Sequence, residues 1–234
     1  MYFCKNKNQM SNIAGNLQEI LELIPDNVKL IAVSKLKPVE DIQQAYLAGQ
    51  RCFGENKALE MKSKYETLPK DIEWHFIGHL QSNKIKYILP FVHLIHSVDS
   101  LKLLKEINRQ AAKHNQIINC LLQFYIATED TKFGFSLEEA VDMLEDNDFK
   151  KIKNIRLCGV MGMATYTNDK DLIRKEFQTL YSYFNHLKST YFQHEALFTE
   201  VSMGMTDDFP LAMEEGSTMV RIGSAIFGQR NYNL

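Results

Sequence analysis

VKLIAVSK, residues 28–35, is an apolar run that does not alternate with polar residues and stops on a hydroxyl and an amine. Such a run reads as a strand buried on both faces, as in parallel sheets covered by helices. Just beyond it, Pro38 suits the first turn of a helix, and EDIQQAYLAG carries that helix to a stop at Gly49. Before it, Ile13, Leu17, Ile20, Leu21 and Ile24 recur at helical spacing, and Pro25 ends the segment.

The same cycle repeats along the chain. Strands are expected at 28–35, 51–55, 72–78, 94–98, 117–126, 155–163, 196–204 and 218–223, each but the last followed by a helix. The intervening helices are expected over 56–68, 82–89, from Asp99 or Ser100 to about His114, 136–146, 171–190 and 207–216. Ser136 and Glu139 have the spacing of a capping box. Phe177, Leu180, Tyr181, Phe184 and Leu187 form an apolar stripe at helical spacing, expected to pack into the core. Eight βα units favour a closed (β/α)8 barrel, with a doubly wound open sheet as the rival that periodicity alone does not exclude. No linker, repeat or low-complexity tract interrupts the chain, so residues 1–234 are expected to form one domain.

Composition narrows the function classes. Hydrophobic residues make up 45% and charged residues 24%, in the range of a globular chain rather than a disordered or fibrous one. The 27 basic and 29 acidic residues leave a formal charge of −2, which gives no electrostatic case for nucleic acid or a membrane surface. No apolar stretch approaches a membrane span, and MYFCKNKNQM lacks the pattern of a secretory signal. Cys4, Cys52, Cys120 and Cys158 are far apart and form no CxxC pair, so no metal ribbon or redox dithiol is expected and a reducing cytoplasm is the simplest compartment. Cys52 and Cys158 fall in strands and read as small buried hydrophobes. His75 and His79 span a strand end and a glycine rather than one helical face, so no metal site is expected from them.

In a barrel the chemistry gathers at the carboxyl ends of the strands, and three polar clusters fall there. Lys35 closes the first strand; burial there lowers the pKa of a lysine and frees its amine to attack a carbonyl, although a strand-end lysine also snorkels to solvent. Lys37, just before Pro38, is expected to face water. Ser202, Gly204 and Thr206, followed by Asp207 and Asp208, form a hydroxyl-bearing turn after the seventh strand that suits an anion or an ordinary helix cap. Arg221, Gly223 and Ser224 close the eighth, where barrels often build a phosphate site. Arg221, inside an apolar segment, requires an acceptor. The residues therefore point to a phosphorylated carbonyl compound: a sugar phosphate in a class I aldolase, or pyridoxal 5′-phosphate (PLP).

The strings VSKLKP (33–38), FGEN (53–56), EWHFIGHLQSNK (73–84), SMGMTDD (202–208) and GSTMVRIGSAIFGQR (216–230) resemble the pyridoxal phosphate homeostasis proteins, in family order across nearly the whole chain. The resemblance implies a single barrel similar to the N-terminal domain of alanine racemase, with PLP as cofactor held as a Schiff base on Lys35. It implies phosphate contacts from Ser202, Thr206, Gly223 and Ser224, partly through backbone amides, with Asn56 near the cofactor. Arg221 would face the pyridine nitrogen, and a guanidinium, which only donates, would keep that nitrogen unprotonated. The resemblance also implies a PLP carrier and buffer without established catalysis, so no catalytic residue is assigned. A racemase needs a second acid/base group, and the chain ends soon after the last barrel motif. Tyr166, after the sixth strand, is expected to be a solvated loop residue. A PLP-dependent racemase or lyase acting on a small amino acid is the alternative. The expected state is a cytoplasmic monomer whose partners are PLP and PLP-dependent apoenzymes, without nucleic acid or membrane. The chain departs from the family at Lys57, where tyrosine is usual after FGEN, and at Tyr125-Ile126-Ala127, where an Asn-x-Ser segment is common. Lys84 is expected to cap a helix or lie at the barrel mouth, and Lys132, which resembles a family lysine near the opening, to be an exposed loop residue.

Overall fold

A computed structural model describes residues 12–128 and 133–229. Eight parallel strands close into a barrel in simple sequence order: β1 (Lys29–Val33), β2 (Cys52–Glu55), β3 (Glu73–Phe76), β4 (Val92–Val98), β5 (Ile118–Gln123), β6 (Ile155–Met161), β7 (Glu200–Ser202) and β8 (Met219–Ile222). The ring shuts where β1 pairs with β8, with Ile31 opposite Arg221 and Ala32 opposite Ile222. The open-sheet rival is thereby excluded. The covering helices are α1 (Ile13–Glu22), α2 (Val39–Leu47), α3 (Ala58–Thr67), α4 (Leu101–Ala112), α5 (Leu137–Glu145), α6 (Lys170–Thr190), α7 (Phe209–Glu214) and α8 (Ser224–Phe227). The segment after β3 is a 3-10 turn, Ser82–Tyr87, rather than an α-helix.

Two apolar clusters follow from the pleat. Alternate strand residues such as Leu30, Ala32, Phe53 and Trp74 join helix residues such as Ile42, Met61, Phe177 and Leu187 in the layer between barrel and helices. Ile31, Leu94, Leu121, Cys158, Met161 and Met219 fill the barrel interior. The period of two therefore turns Ile31, Val33 and, beyond the strand, Lys35 toward the barrel axis. Of the expected stripe on α6, Phe177, Leu180 and Leu187 are fully buried, whereas Tyr181 lies at its exposed edge.

The sequence marks several ends correctly. Ser100 accepts from Leu103 N–H at the start of α4, and Ser136 and Glu139 close the expected capping box at α5. Two expectations need correction. The seventh strand is three residues long, because only Glu200–Ser202 pair with the neighbouring strands. The eighth strand does carry a helix after it: Gly223 carbonyl accepts from both Ile226 and Phe227 N–H, which winds residues 224–227 into α8. Among the described residues no helix is long and apolar enough to cross a membrane.

Candidate functional site

Beyond the carboxyl ends of β1, β2, β7 and β8 the chain brings the expected residues to one rim. Val33 pairs with Gly54, so Lys35 and Asn56 each stand two residues past a matched pair. Gly223 abuts β1 so closely that a Cβ there would lie 3.1 Å from the Val33 carbonyl oxygen. Lys35 is half-buried. Asn56 is also half-buried, and its Oδ1 is shielded from solvent with no hydrogen-bond partner.

On the adjoining strands, the turn after β7 folds back on the end of β8. Gly204 takes φ +93°, a conformation that favours glycine, and its carbonyl accepts from Arg221 N–H at 2.9 Å. Asp208 secures the turn by accepting from Met205 N–H. Burial raises its pKa, against the opposing pull of that bond and of Arg221. Thr206 Oγ1 then lies 3.4 Å from Gly223 N and 3.2 Å from the Ser224 hydroxyl. Thr206, Gly223 and Ser224 thus converge beside the start of α8.

Ser202 does different work. Its hydroxyl is fully buried inside the barrel, accepting from Arg221 Nη1 at 2.7 Å and lying 2.9 Å from His96 Nδ1. Arg221 Nη2 donates to the Gly162 carbonyl at 3.0 Å. The two bonds fix the guanidinium plane below the rim. Burial lowers the Arg221 pKa to about 10, while Asp208 pulls it the other way, so the group stays cationic at neutral pH. His96 Nε2 in turn lies 2.8 Å from His75 Nδ1. Burial holds both rings well below the usual histidine pKa, with His96 acting further on His75 and Arg221 on His96. A polar column, Arg221–Ser202–His96–His75, therefore runs down the barrel interior. His75 belongs to it, whereas His79 stands at the rim beside Asp99, 3.3 Å away.

A second network flanks Lys35 and escaped the sequence reading. Glu55, fully buried at the end of β2, accepts from the Ser34 hydroxyl at 2.6 Å and from Lys64 Nζ at 2.7 Å. Lys64 also donates to the Ser34 carbonyl at 2.8 Å and to Glu60 at 2.7 Å. Glu60 accepts from Leu36 N–H at 2.6 Å, and Leu36 adopts φ +60°. Both neighbours of Lys35 are therefore clamped by one buried cation and two carboxylates. The spacing of Glu60 and Lys64 is the pattern of a helical ion pair, the one signal in the sequence that points to this network. Burial pushes the Glu55 carboxyl up to about 7, against the opposing pull of Lys64 and Ser34.

Lys37 does not face water as expected. Its ammonium donates to the carbonyls of Phe227, Gly228 and Gln229, because the last carbonyls of α8 lack helical partners and attract a cation. Cys52 is not a passive hydrophobe either: its thiol donates to Glu73 Oε2 at 3.1 Å. Lys57 is exposed at the start of α3, and Lys84 lies in the 3-10 turn. Tyr166 is 86% exposed, as expected of a loop residue. Lys132 lies outside the described residues.

The arrangement offers an amine at the rim, a cluster of hydroxyls and backbone N–H groups on the adjoining strands, and a fixed cation below. Comparison with known proteins gives the chain a context. Residues 9–231 match the family model described as alanine racemase, N-terminal domain. The curated pyridoxal phosphate homeostasis protein of Pasteurella multocida is 40% identical over 96% of this chain and 97% of its own length. The structure of PipY from Synechococcus elongatus with PLP bound superposes with a TM-score of 0.82 at 33% identity, over 92% of this chain and all of that one. Alanine racemase from E. faecalis shares the fold at 16% identity, with a TM-score of 0.71 over 93% of this chain and 57% of the racemase.

Proposed function

The chain belongs to the pyridoxal phosphate homeostasis protein family, and from that premise we propose that it binds PLP at the barrel rim and carries and buffers it rather than turning over a substrate. The observation that carries this reading is the meeting of Thr206, Gly223 and Ser224 at the end of β8, the strand that pairs with the one leading to Lys35, with Arg221 locked beneath them. The shielded, partnerless Asn56 Oδ1 fits a site that expects a polar ligand.

PLP supplies an electrophilic aldehyde and an electron-withdrawing pyridine ring. Lys35 is the residue proposed to take that aldehyde as a Schiff base. Its backbone is held on both sides by the Glu55–Lys64–Glu60 network, so the amine starts from a fixed point. Thr206 and Ser224 supply hydroxyls, and Gly223 and the start of α8 supply N–H groups, to a phosphate. Gly204 shapes that turn by accepting from Arg221 N–H. Ser202 contributes by steadying Arg221. A guanidinium only donates, so Arg221 suits an unprotonated ring nitrogen and leaves the ring a weaker electron sink than a carboxylate partner would. Asn56 completes the rim, and Tyr166, out in solvent, is a poor second acid/base.

Purified protein tests this directly. Added PLP should give a yellow species that borohydride bleaches and traps on Lys35 by peptide mass, and Lys35→Ala should abolish both. A panel of L- and D-amino acids should show no turnover at ordinary enzyme rates; robust racemisation would replace the carrier reading with an enzymatic one. PLP-loaded protein should reactivate a PLP-dependent apoenzyme in the presence of a trap for free PLP, and failure there would remove the handover role.

A further inference from the structure

The opposite end of the barrel holds a cluster that the cofactor reading does not use. Cys52 and Glu73 open β2 and β3 and face each other across the sheet. His75 lies two residues on from Glu73, on the same side. On β4, Val92 pairs with Trp74 but Leu94 with His75, so His93 is the extra residue of a bulge. A bulge re-aims the side chain it carries, and here the His93 ring comes within 5.3 Å of the His75 ring and its Nε2 within 3.7 Å of Glu73 Oε2. Donor atoms of Cys52, Glu73 and His75 all lie within 4.8 Å of one another.

His75 supplies the independent observation. Its ring is fully buried, Nδ1 is engaged by His96, and Nε2 has no partner. We propose that this floor of the barrel binds a divalent transition metal of the zinc class through Cys52 Sγ, a Glu73 oxygen, His75 Nε2 and His93 Nε2. One thiolate, two imidazoles and a carboxylate suit zinc and disfavour magnesium or calcium, which take oxygen donors. With bonds of about 2.0–2.3 Å, tetrahedral donors stand roughly 3.3–3.6 Å apart. The Cys52–Glu73 separation of 3.1 Å and the His93–Glu73 separation of 3.7 Å are already close to that. Glu73 and His93 are partly solvent-exposed, which gives an ion a way in. Lys29, now 3.6 Å from Glu73 Oε2 and partly exposed, is the cation the metal would displace toward solvent.

Binding would also set the direction of the interior column. Ligation through Nε2 places the His75 proton on Nδ1, which then donates to His96 Nε2. The His96 proton accordingly moves to Nδ1 and donates to Ser202 Oγ, which also accepts from Arg221. Each ring keeps one proton, and the Cys52 proton leaves to solvent as the thiolate forms. The floor is thereby wired to Arg221 without any contact between metal and cofactor.

The test uses untagged full-length chain, stripped with a chelator and reconstituted with cobalt(II) alone, then zinc. Stoichiometric cobalt should bind with a thiolate-to-metal charge-transfer band and the intense visible bands of tetrahedral geometry. Cys52→Ala should lose the charge-transfer band, and His93→Gln should weaken zinc binding by at least about tenfold. Cys4→Ser and His79→Ala should behave as wild type. If Cys52→Ala fails to fold by near-ultraviolet circular dichroism, His93→Gln decides alone. Cobalt without a thiolate band, zinc lost on dialysis, or an affinity indifferent to His93 would overturn the site and leave His75 Nε2 to a buried water. None of these readouts involves PLP, so they stand whether or not Lys35 holds it.

Discussion

Replacing Lys64 with methionine keeps an unbranched, helix-favouring side chain and removes the ammonium with its charge and donors. Lys64 is buried on α3 and makes three bonds of 2.7–2.8 Å, to Ser34, Glu55 and Glu60. Removing one partner of a buried ion pair costs about 3–5 kcal/mol, because the other charge is left uncompensated. Glu55 has an escape: with its pKa already pushed up to about 7, it takes a proton near neutrality and relieves part of that cost. The lower end, about 3 kcal/mol, is therefore expected. For a domain of this size that corresponds to a fall in Tm of roughly 6–12 °C. Thermal unfolding followed by far-ultraviolet circular dichroism, in wild type and Lys64→Met, measures it. Adding Glu55→Gln should recover part of the loss, since the two residues share one network and do not act additively. PLP release should also quicken in Lys64→Met, because both neighbours of Lys35 lose their anchor. A Tm within about 2 °C of wild type would refute the clamp, because a pair that removal barely disturbs is behaving as a solvated surface pair.

Stability should also depend on pH through Glu55. Its folded pKa of about 7 exceeds the usual 4.5, so between those values the native state holds a proton that the unfolded chain has released. Stability from this group is full below pH 4.5 and is lost as pH rises through 7, by at most about 1.4 kcal/mol per pH unit. Urea unfolding across that window should give a shallower slope for Glu55→Gln; equal slopes would assign the titration elsewhere. At the rim, Thr206→Val and Ser224→Ala should each weaken PLP binding roughly ten- to a hundredfold in an absorbance titration, as expected for one hydrogen bond to a charged group. Unchanged affinity in both would move the phosphate away from that turn.

The barrel was legible because its signal is repetitive: eight unalternating apolar runs punctuated by helix starts and stops admit few architectures. The rim was legible for a similar reason, since Lys35, Thr206, Gly223 and Ser224 all sit just past strand ends, where connectivity alone puts them together. What the sequence hid depends on which way a side chain points within the ring. Ser202 looked like a rim hydroxyl but lies below the rim, held inside the barrel by Arg221 and His96. Glu55 and Lys64 looked like ordinary members of a strand and a helix, and only the packing of α3 against β2 makes them partners. Lys37 reaches carbonyls almost the whole chain away, a contact no local pattern encodes. The short seventh strand was overread because Leu197 and Phe198 are apolar, although they precede the first paired residue.

The staple between Lys37 and the carbonyls after Phe227, together with the pairing of β1 with β8, has a consequence for biosynthesis. Chains leave the ribosome from the amino end. Lys35 therefore emerges long before Arg221, Ser224 and the helix that Lys37 grips. Until β8 and α8 have been made, the nascent chain carries Lys35 without the residues that stand beside it in the closed barrel. Competence then arrives in one late event, the docking of the final stave against the first, and a prematurely terminated product would lack it altogether.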